Sequence, residues 1–232
     1  VRVVSLVPSA TESLRAWGVE PIAVTRFCEQ PHLPTVGGTK DPDVAAIVAL
    51  APDLVVLCRE ENRREDADAL VAAGLTIHVV DINGIEDHDR ELAALAHAAG
   101  ADIPVSARRS LGEQPFEGVK SRRRVFVPIW RRPWMTVGGG TYGSSLLASI
   151  GFDNVFADAQ TRYPEISLDR VVALAPDLVV APSEPYPFGI RHVAELEQIA
   201  PVVLVDGQDL FWWGVRAPAA RQRVAVALRD GV

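Results

Sequence analysis

Apolar residues fall in short β-branched runs separated by stretches where they recur at helical spacing, and this alternation continues along most of the chain. Val3 to Val7 is such a run. Ser9 to Trp17 follows it with Glu12 three residues after Ser9, a capping-box spacing that predicts a helix capped by Ser9. Pro21 to Thr25 reads as a second strand, Asp43 to Leu50 as a short helix stopped before Pro52, and Leu54 to Leu57 as a buried strand. Asn62 to Ala73 reads as a helix closed by Gly74, and Thr76 to Val80 as the next strand. Glu86 to Ala99 is amphipathic. Ser106 to Leu111 is compatible with a helix, but Pro104 and Pro115 bar one uninterrupted helix through this region. Beyond it the alternation resumes with a strand at Arg124 to Pro128, a helix at Tyr142 to Ile150 ending on Gly151, and then Leu168 to Leu174, Leu178 to Val180 and Val202 to Val205.

The two halves echo each other. Ile47 to Val56 reads IVALAPDLVV and Val171 to Val180 reads VVALAPDLVV, identical at nine of ten positions. Val79-Val80-Asp81 follows the first copy at nearly the distance at which Leu204-Val205-Asp206 follows the second. A spacing of 124 residues is too long for a solenoid unit and fits a duplicated domain. Strands alternating with helices predict parallel sheets covered on both faces. The expected fold is therefore α/β: two similar Rossmann-like lobes joined by a single helical connector, with a ligand cleft between the lobes. The expected boundaries are residues 1–100, a connector over 101–121, and 122–232.

Composition narrows the function classes. Of the 232 residues 48% are hydrophobic, enough for one large core or two smaller ones. The net charge of -7 argues against a coat for nucleic acid, whose affinity comes from neutralised phosphates. Cys28 and Cys58 are the two cysteines, too few for a zinc ribbon or a disulfide-rich scaffold, although one disulfide between them fits the count. No apolar run is long enough to span a membrane, so no membrane insertion is expected. Val1 leads straight into the first strand without a charged n-region, apolar h-region or cleavage site. As written, the chain would stay in the cytosol; with a leader or lipid anchor removed, it would act outside the cytoplasmic membrane. A monomer is expected.

Ligands of parallel α/β sheets bind beyond the carboxyl ends of the strands, so the residues just after strands carry most weight. Trp130 and Trp134, Tyr186 with Phe188, and Trp212 with Trp213 all occupy such places. Adjacent tryptophans tend to point opposite ways, so one of Trp212 and Trp213 is expected to face a ligand. Wide aromatic faces suit a wide planar ligand. Gly138-Gly139-Gly140-Thr141-Tyr142-Gly143 formally matches a dinucleotide fingerprint, but Trp130-Arg131-Arg132-Pro133-Trp134-Met135 intervenes after the strand, so a glycine turn presenting Tyr142 is the better reading. Cys28 and His32 supply at most two metal ligands, with Pro31 between them, and no metal site is assigned. Of the basic stretch Lys120, Arg122 to Arg124, Arg131 and Arg132, Arg122 to Arg124 fit the entry to a strand, whereas Arg131 and Arg132 could meet carboxylates of an anionic ligand. No nucleophile elbow, zincin motif, phosphate loop or acid/base dyad is present, so no catalytic residue is assigned and no enzyme activity is expected. Glu61, Glu65, Glu184 and Glu195 lie at loops or helix starts of both halves, which fits docking to basic sockets.

Together these residues resemble the class III substrate-binding proteins of ABC transporters, the helical-backbone metal receptors, and most closely their cobalamin-binding branch. The resemblance covers nearly the whole chain. It rests on Val4-Ser5-Leu6-Val7-Pro8-Ser9-Ala10-Thr11-Glu12, on Phe27-Cys28 followed by Val36-Gly37-Gly38, on both Ala-Pro-Asp-Leu-Val-Val copies, and on Gly138-Gly139 to Tyr142. It implies a non-catalytic receptor holding a corrinoid, haem or ferric siderophore between two lobes, with cobalamin favoured, no intrinsic cofactor, and a permease dimer as partner. Ligand contact would then fall on Phe27, Cys28, Trp134, Tyr142, Trp212 and Trp213. Docking would fall near Glu61 or Glu65 and near Glu184 or Glu195. A cytosolic ligand carrier, or a metallocluster or chelatase-like enzyme, are the other readings of such an architecture.

Overall fold

The structure is a computed structural model that describes residues 1–104, 111 and 122–230. The chain forms two compact units. The first holds Val1–Ile82, the described residues from Asp87 to 104, and Trp213–Val215. The second holds Asn83–Glu86, the described part of Leu111–Trp212, and the residues from Arg216 onward. The helix-compatible stretch from Ser106 falls, Leu111 apart, outside the described residues, as do Pro115, Lys120 and most of the expected connector.

In the first unit β1 (Val3–Ser5), β2 (Ala23–Val24), β3 (Leu54–Cys58) and β4 (Ile77–Val80) form one parallel sheet in the order β2-β1-β3-β4. β3 is buried along its whole length, as a central strand covered on both faces should be. Val4, Leu6, Val55 and Leu57 meet Ile47 of α2 (Val44–Ala49) and Leu70 of α3 (Arg64–Ala72) in its core. α1 (Pro8–Ala16) starts two residues earlier than a helix capped by Ser9 would. Val7 is the N-cap, and Pro8, whose missing N–H costs nothing in a first turn, opens the helix. Ser9 is buried inside that turn, so the Ser9–Glu12 capping box does not form. α4 (Ile85–Ala98) is the amphipathic helix expected there.

In the second unit β5 (Arg123–Phe126), β8 (Phe152–Asn154), β9 (Leu178–Pro182) and β10 (Val202–Val205) form a parallel sheet in the order β10-β9-β5-β8. That is the first unit's order with β8, β5, β9 and β10 in place of β2, β1, β3 and β4. β6 (Pro128–Trp130) and β7 (Met135–Thr136) add an antiparallel hairpin, which together with β8 the sequence reading missed because each is only two or three residues long. α5 (Tyr142–Ser149), α6 (Leu168–Leu174), α7 (Ile190–Leu196), α8 (Gly207–Phe211) and α9 (Ala217–Asp230) complete the unit. Phe126, Val179 and Ala181 pack with Phe156, Val171, Phe188 and Leu196 in its core.

The repeated decapeptide is a structural device, used once in each unit. It carries the chain from α2 into β3 and from α6 into β9. Ala51 and Ala175 take left-handed φ values of 42° and 46°, which turn the chain sharply before the proline. The aspartate after each proline then ties the helix–strand turn to the neighbouring strand. Asp53 accepts the Arg2 N–H at 2.7 Å while its own N–H donates to the Arg2 carbonyl at 2.9 Å. Asp177 does the same with Arg124, at 2.7 and 2.8 Å.

Candidate functional site

Within each sheet the chain steps from the first strand to one side and then returns to the other, placing a topological switch point between β1 and β3 and between β5 and β9. Loops at the carboxyl ends of these strands are where a ligand of either unit would be met.

In the first unit, residues 25–28 leave β2 at this edge. Phe27 is 49% exposed. The Arg26 guanidinium lies 4.9 Å from its ring centroid and is held by Asp41, with contacts of 2.8 and 3.0 Å from one nitrogen and 3.1 Å from the other. Cys28 turns inward: Thr11 donates to its sulfur at 3.3 Å and Thr25 Oγ1 lies 3.1 Å away. Burial pushes its thiol up, and burial likewise raises Cys58, to about 12. Both cysteines are buried, unpaired thiols. His32 is taken by Glu20 at 2.8 Å, so Cys28 and His32 point to different partners. Among the described residues no group of three or more His, Cys, Asp or Glu is placed to hold a metal ion. After β3, Asn62 holds the loop in shape, accepting the Cys58 N–H at 2.8 Å and donating to the Thr39 carbonyl at 2.9 Å. Glu61 is half-buried there and Glu65 is exposed in the first turn of α3.

In the second unit the β6–β7 hairpin and the loop after β9 bring their aromatics together. Trp130, 44% exposed, meets Tyr186 edge-on at 5.7 Å, and Tyr186 packs on Phe188 at 4.7 Å. Trp134 stacks on Phe188 at 6.0 Å, nearly parallel. His192, at the start of α7, sits edge-on to both Tyr186 and Phe188. Its Nδ1 accepts the Gly189 N–H at 3.1 Å, and burial, then Arg191 and Arg131, holds its pKa below the usual imidazole range. Phe188 was legible in the sequence only as a neighbour of Tyr186, and His192 was not assigned to a site. The packing that makes them a cluster is tertiary. Arg131 lies 5.8 Å from the Trp134 ring and pairs with Glu195 at 2.9 Å. Glu195, expected to be a docking residue, is thus engaged inside the unit. Glu184 is half-buried in the loop after β9.

The two adjacent tryptophans differ as alternation predicts. Trp213 is buried at 4% exposure, whereas Trp212 is half-buried with Arg216 4.9 Å from its ring. Tyr142 is buried at 3% exposure as the first residue of α5, behind its N-cap Thr141, and burial drives its hydroxyl pKa up. Cys28, Tyr142 and Trp213 therefore offer a ligand no open surface, and Phe27, Trp130, Trp134, Tyr186 and Trp212 do. The glycine run has a local cause: a Cβ on Gly138 would lie 2.4 Å from the Thr161 carbonyl, and one on Gly139 2.0 Å from that of Ala157. The run lets its backbone lie against residues 157–162. The basic stretch is likewise structural at its start, with Arg122 gripping Asp153 at 2.8 Å.

No family model matches the chain. It is 30% identical over 191 residues to the vitamin B12-binding protein of Salmonella typhimurium, a match covering 77% of this chain and 71% of that protein. The chain belongs to the vitamin B12-binding protein family. The match to the vitamin B12-binding protein of Yersinia pseudotuberculosis, 28% over 222 residues, covers 90% of the chain and 79% of that protein. In fold, this family member is similar to the periplasmic vitamin B12 binding protein of Vibrio cholerae, with a TM-score of 0.82 and 22% identity over 99% of this chain and 97% of that one. It is also similar to a periplasmic heme binding protein of Vibrio cholerae, at a TM-score of 0.78 and 20% identity over 98% of both. The vitamin B12-binding family is the cobalamin branch of the class III substrate-binding proteins that the sequence resembles. As a member of it, the chain is a binding protein and not an enzyme. No helix among the described residues is long and apolar enough to cross a membrane.

Proposed function

We propose that the chain is the receptor of an ABC importer for cobalamin, acting outside the cytoplasmic membrane and delivering its ligand to a permease dimer. The observation that carries the reading is the 30% identity to a vitamin B12-binding protein over most of both chains. Aromatic side chains at the carboxyl edges of each unit support it, exposed at Phe27 and Trp130 and half-buried at Trp134, Tyr186 and Trp212. Such flat apolar faces, with polar tips on the tryptophans and the tyrosine, are what a corrinoid ring and its amide rim would engage. Cys28, Tyr142 and Trp213 act from beneath, by fixing the loops. Glu65 and Glu184, with Glu61 beside the first, are the residues proposed to dock on permease arginines.

Haem is the second reading, favoured by the similarity in fold to a periplasmic heme binding protein. A tryptophan-fluorescence titration with cyanocobalamin and, separately, haem tests both, with inner-filter absorption corrected. Saturable quenching by cyanocobalamin, weakened at least tenfold in Trp212→Ala or Trp130→Ala, is the expected result. Saturation by haem alone would move the reading to haem. Saturation by neither would remove it.

A further inference from the structure

Around Tyr186, in the second unit, hydrogen-bond donors outnumber acceptors. The Gly189 N–H can only donate, so His192 Nδ1, which it meets at 3.1 Å, carries a lone pair and the ring proton sits on Nε2. That Nε2–H faces the Tyr186 oxygen at 3.5 Å. The Arg131 guanidinium, which offers donors alone, lies beside the same oxygen. With donors on its lone pairs, the Tyr186 hydroxyl turns its own proton away from them, and no acceptor among the described residues takes it.

Arg131 has donors to spare as well. Glu195 engages a single nitrogen, Nη2, at 2.9 and 3.2 Å, and Nε is buried without a partner. The guanidinium therefore keeps most of its fork unused, in a plane steadied by the Trp134 ring 5.8 Å away. Arg131 and Tyr186 are both half-buried, beside the exposed Trp130, so a ligand lying on these rings can reach them. The charge of the surroundings is positive. Burial apart, the charges acting on His192 are the cations Arg191 and Arg131 against one anion, Glu195, and the exposed Arg132 adds a third arginine. Donors without acceptors, in a cationic spot on a chain of net charge -7, match an anionic oxygen better than an amide, because charge-assisted bonds are roughly twice as strong as neutral ones.

We propose, resting on the cobalamin reading above, that Arg131 and Tyr186 form an oxyanion subsite of the second unit: the unused fork and the outward hydroxyl proton together take the phosphodiester of the nucleotide loop, the anionic group on the periphery of cyanocobalamin. The rings of Trp130 and Trp134 beside them meet its apolar surface.

The test compares dissociation constants for cyanocobalamin, for cobinamide phosphate, which keeps a phosphate but lacks the ribose and base, and for cobinamide, which lacks all three. Each is measured on the wild-type chain, Tyr186→Phe and Arg131→Gln, with circular dichroism as the check on folding. Tyr186→Phe keeps the ring that packs on Phe188, and it carries the test alone if Arg131→Gln does not fold. In the wild type cobinamide phosphate should bind roughly tenfold more tightly than cobinamide. In each variant that preference should shrink about threefold or more, cyanocobalamin should weaken to a similar degree, and cobinamide should keep its affinity. Equal binding of cobinamide and its phosphate by the wild type, or a preference unchanged in either folded variant, would overturn this inference while leaving cobalamin binding intact. Failure of all three corrinoids to bind the wild type would overturn the receptor reading and this inference with it.

Discussion

At the scale of single residues, burial separates side chains that a ligand can reach from those that hold the loops. Cys28 and Cys58 illustrate the second kind. With both thiols enclosed and their pKa values raised, the folded protein should react negligibly with a disulfide reagent at pH 8, and two thiols should appear on denaturation. His192 makes a pH-dependent contribution. Burial lowers the pKa of its ring in the folded chain, whereas unfolded it would take a proton near the ordinary value of about 6.5. As pH falls through that value the unfolded state takes up a proton more readily than the folded state, so stability is full above it and declines below. His78, also lowered by burial, contributes with the same sign. Urea melts between pH 5 and 7.5 should show this decline, and His192→Gln should flatten part of it. An unchanged slope in the variant would show that His192 keeps an ordinary affinity for protons.

At the scale of elements, the decapeptide gives a paired prediction. Ala51 and Ala175 hold left-handed conformations that cost an L-residue about 1 kcal/mol, and glycine adopts them without that cost. Ala51→Gly and Ala175→Gly should each leave the protein as stable or up to about 1 kcal/mol more stable, since glycine's extra freedom when unfolded offsets part of the gain. Asp53→Ala and Asp177→Ala remove the charged acceptor of a backbone N–H and should each cost about 1 kcal/mol. Chemical denaturation of the four variants checks both signs. The symmetry of these bonds is why the repeat was so visible in the sequence: one turn geometry, used twice, admits few substitutions at alanine, proline and aspartate. The short elements were invisible for the opposite reason. β6, β7 and β8 are too brief to establish a period and exist through pairing with partners elsewhere in the chain.

At the scale of the whole molecule, ligand binding and docking should separate. Bound cyanocobalamin at a hundred times its dissociation constant should raise the stability of the folded chain by about 2.7 kcal/mol, read as a melting temperature that climbs with ligand concentration. Glu65→Lys, on an exposed first turn, should leave that rise unchanged while abolishing uptake by cells that depend on this receptor. A loss of both would place Glu65 in the ligand site instead.

The sequence by itself determined the α/β class, the duplication and the strand-end positions of the aromatics, because hydrophobic period and the Ala-Pro-Asp turn are local properties of the chain. The motif resemblance, too, was legible in the order of residues. Which aromatics face outward, that Tyr142 and Trp213 are buried, and that Arg26 and Arg131 are each matched by a carboxylate, were decided by tertiary structure. Asp41 lies fifteen residues from Arg26 and Glu195 sixty-four from Arg131. No local pattern joins such partners; the packing of strands and loops does.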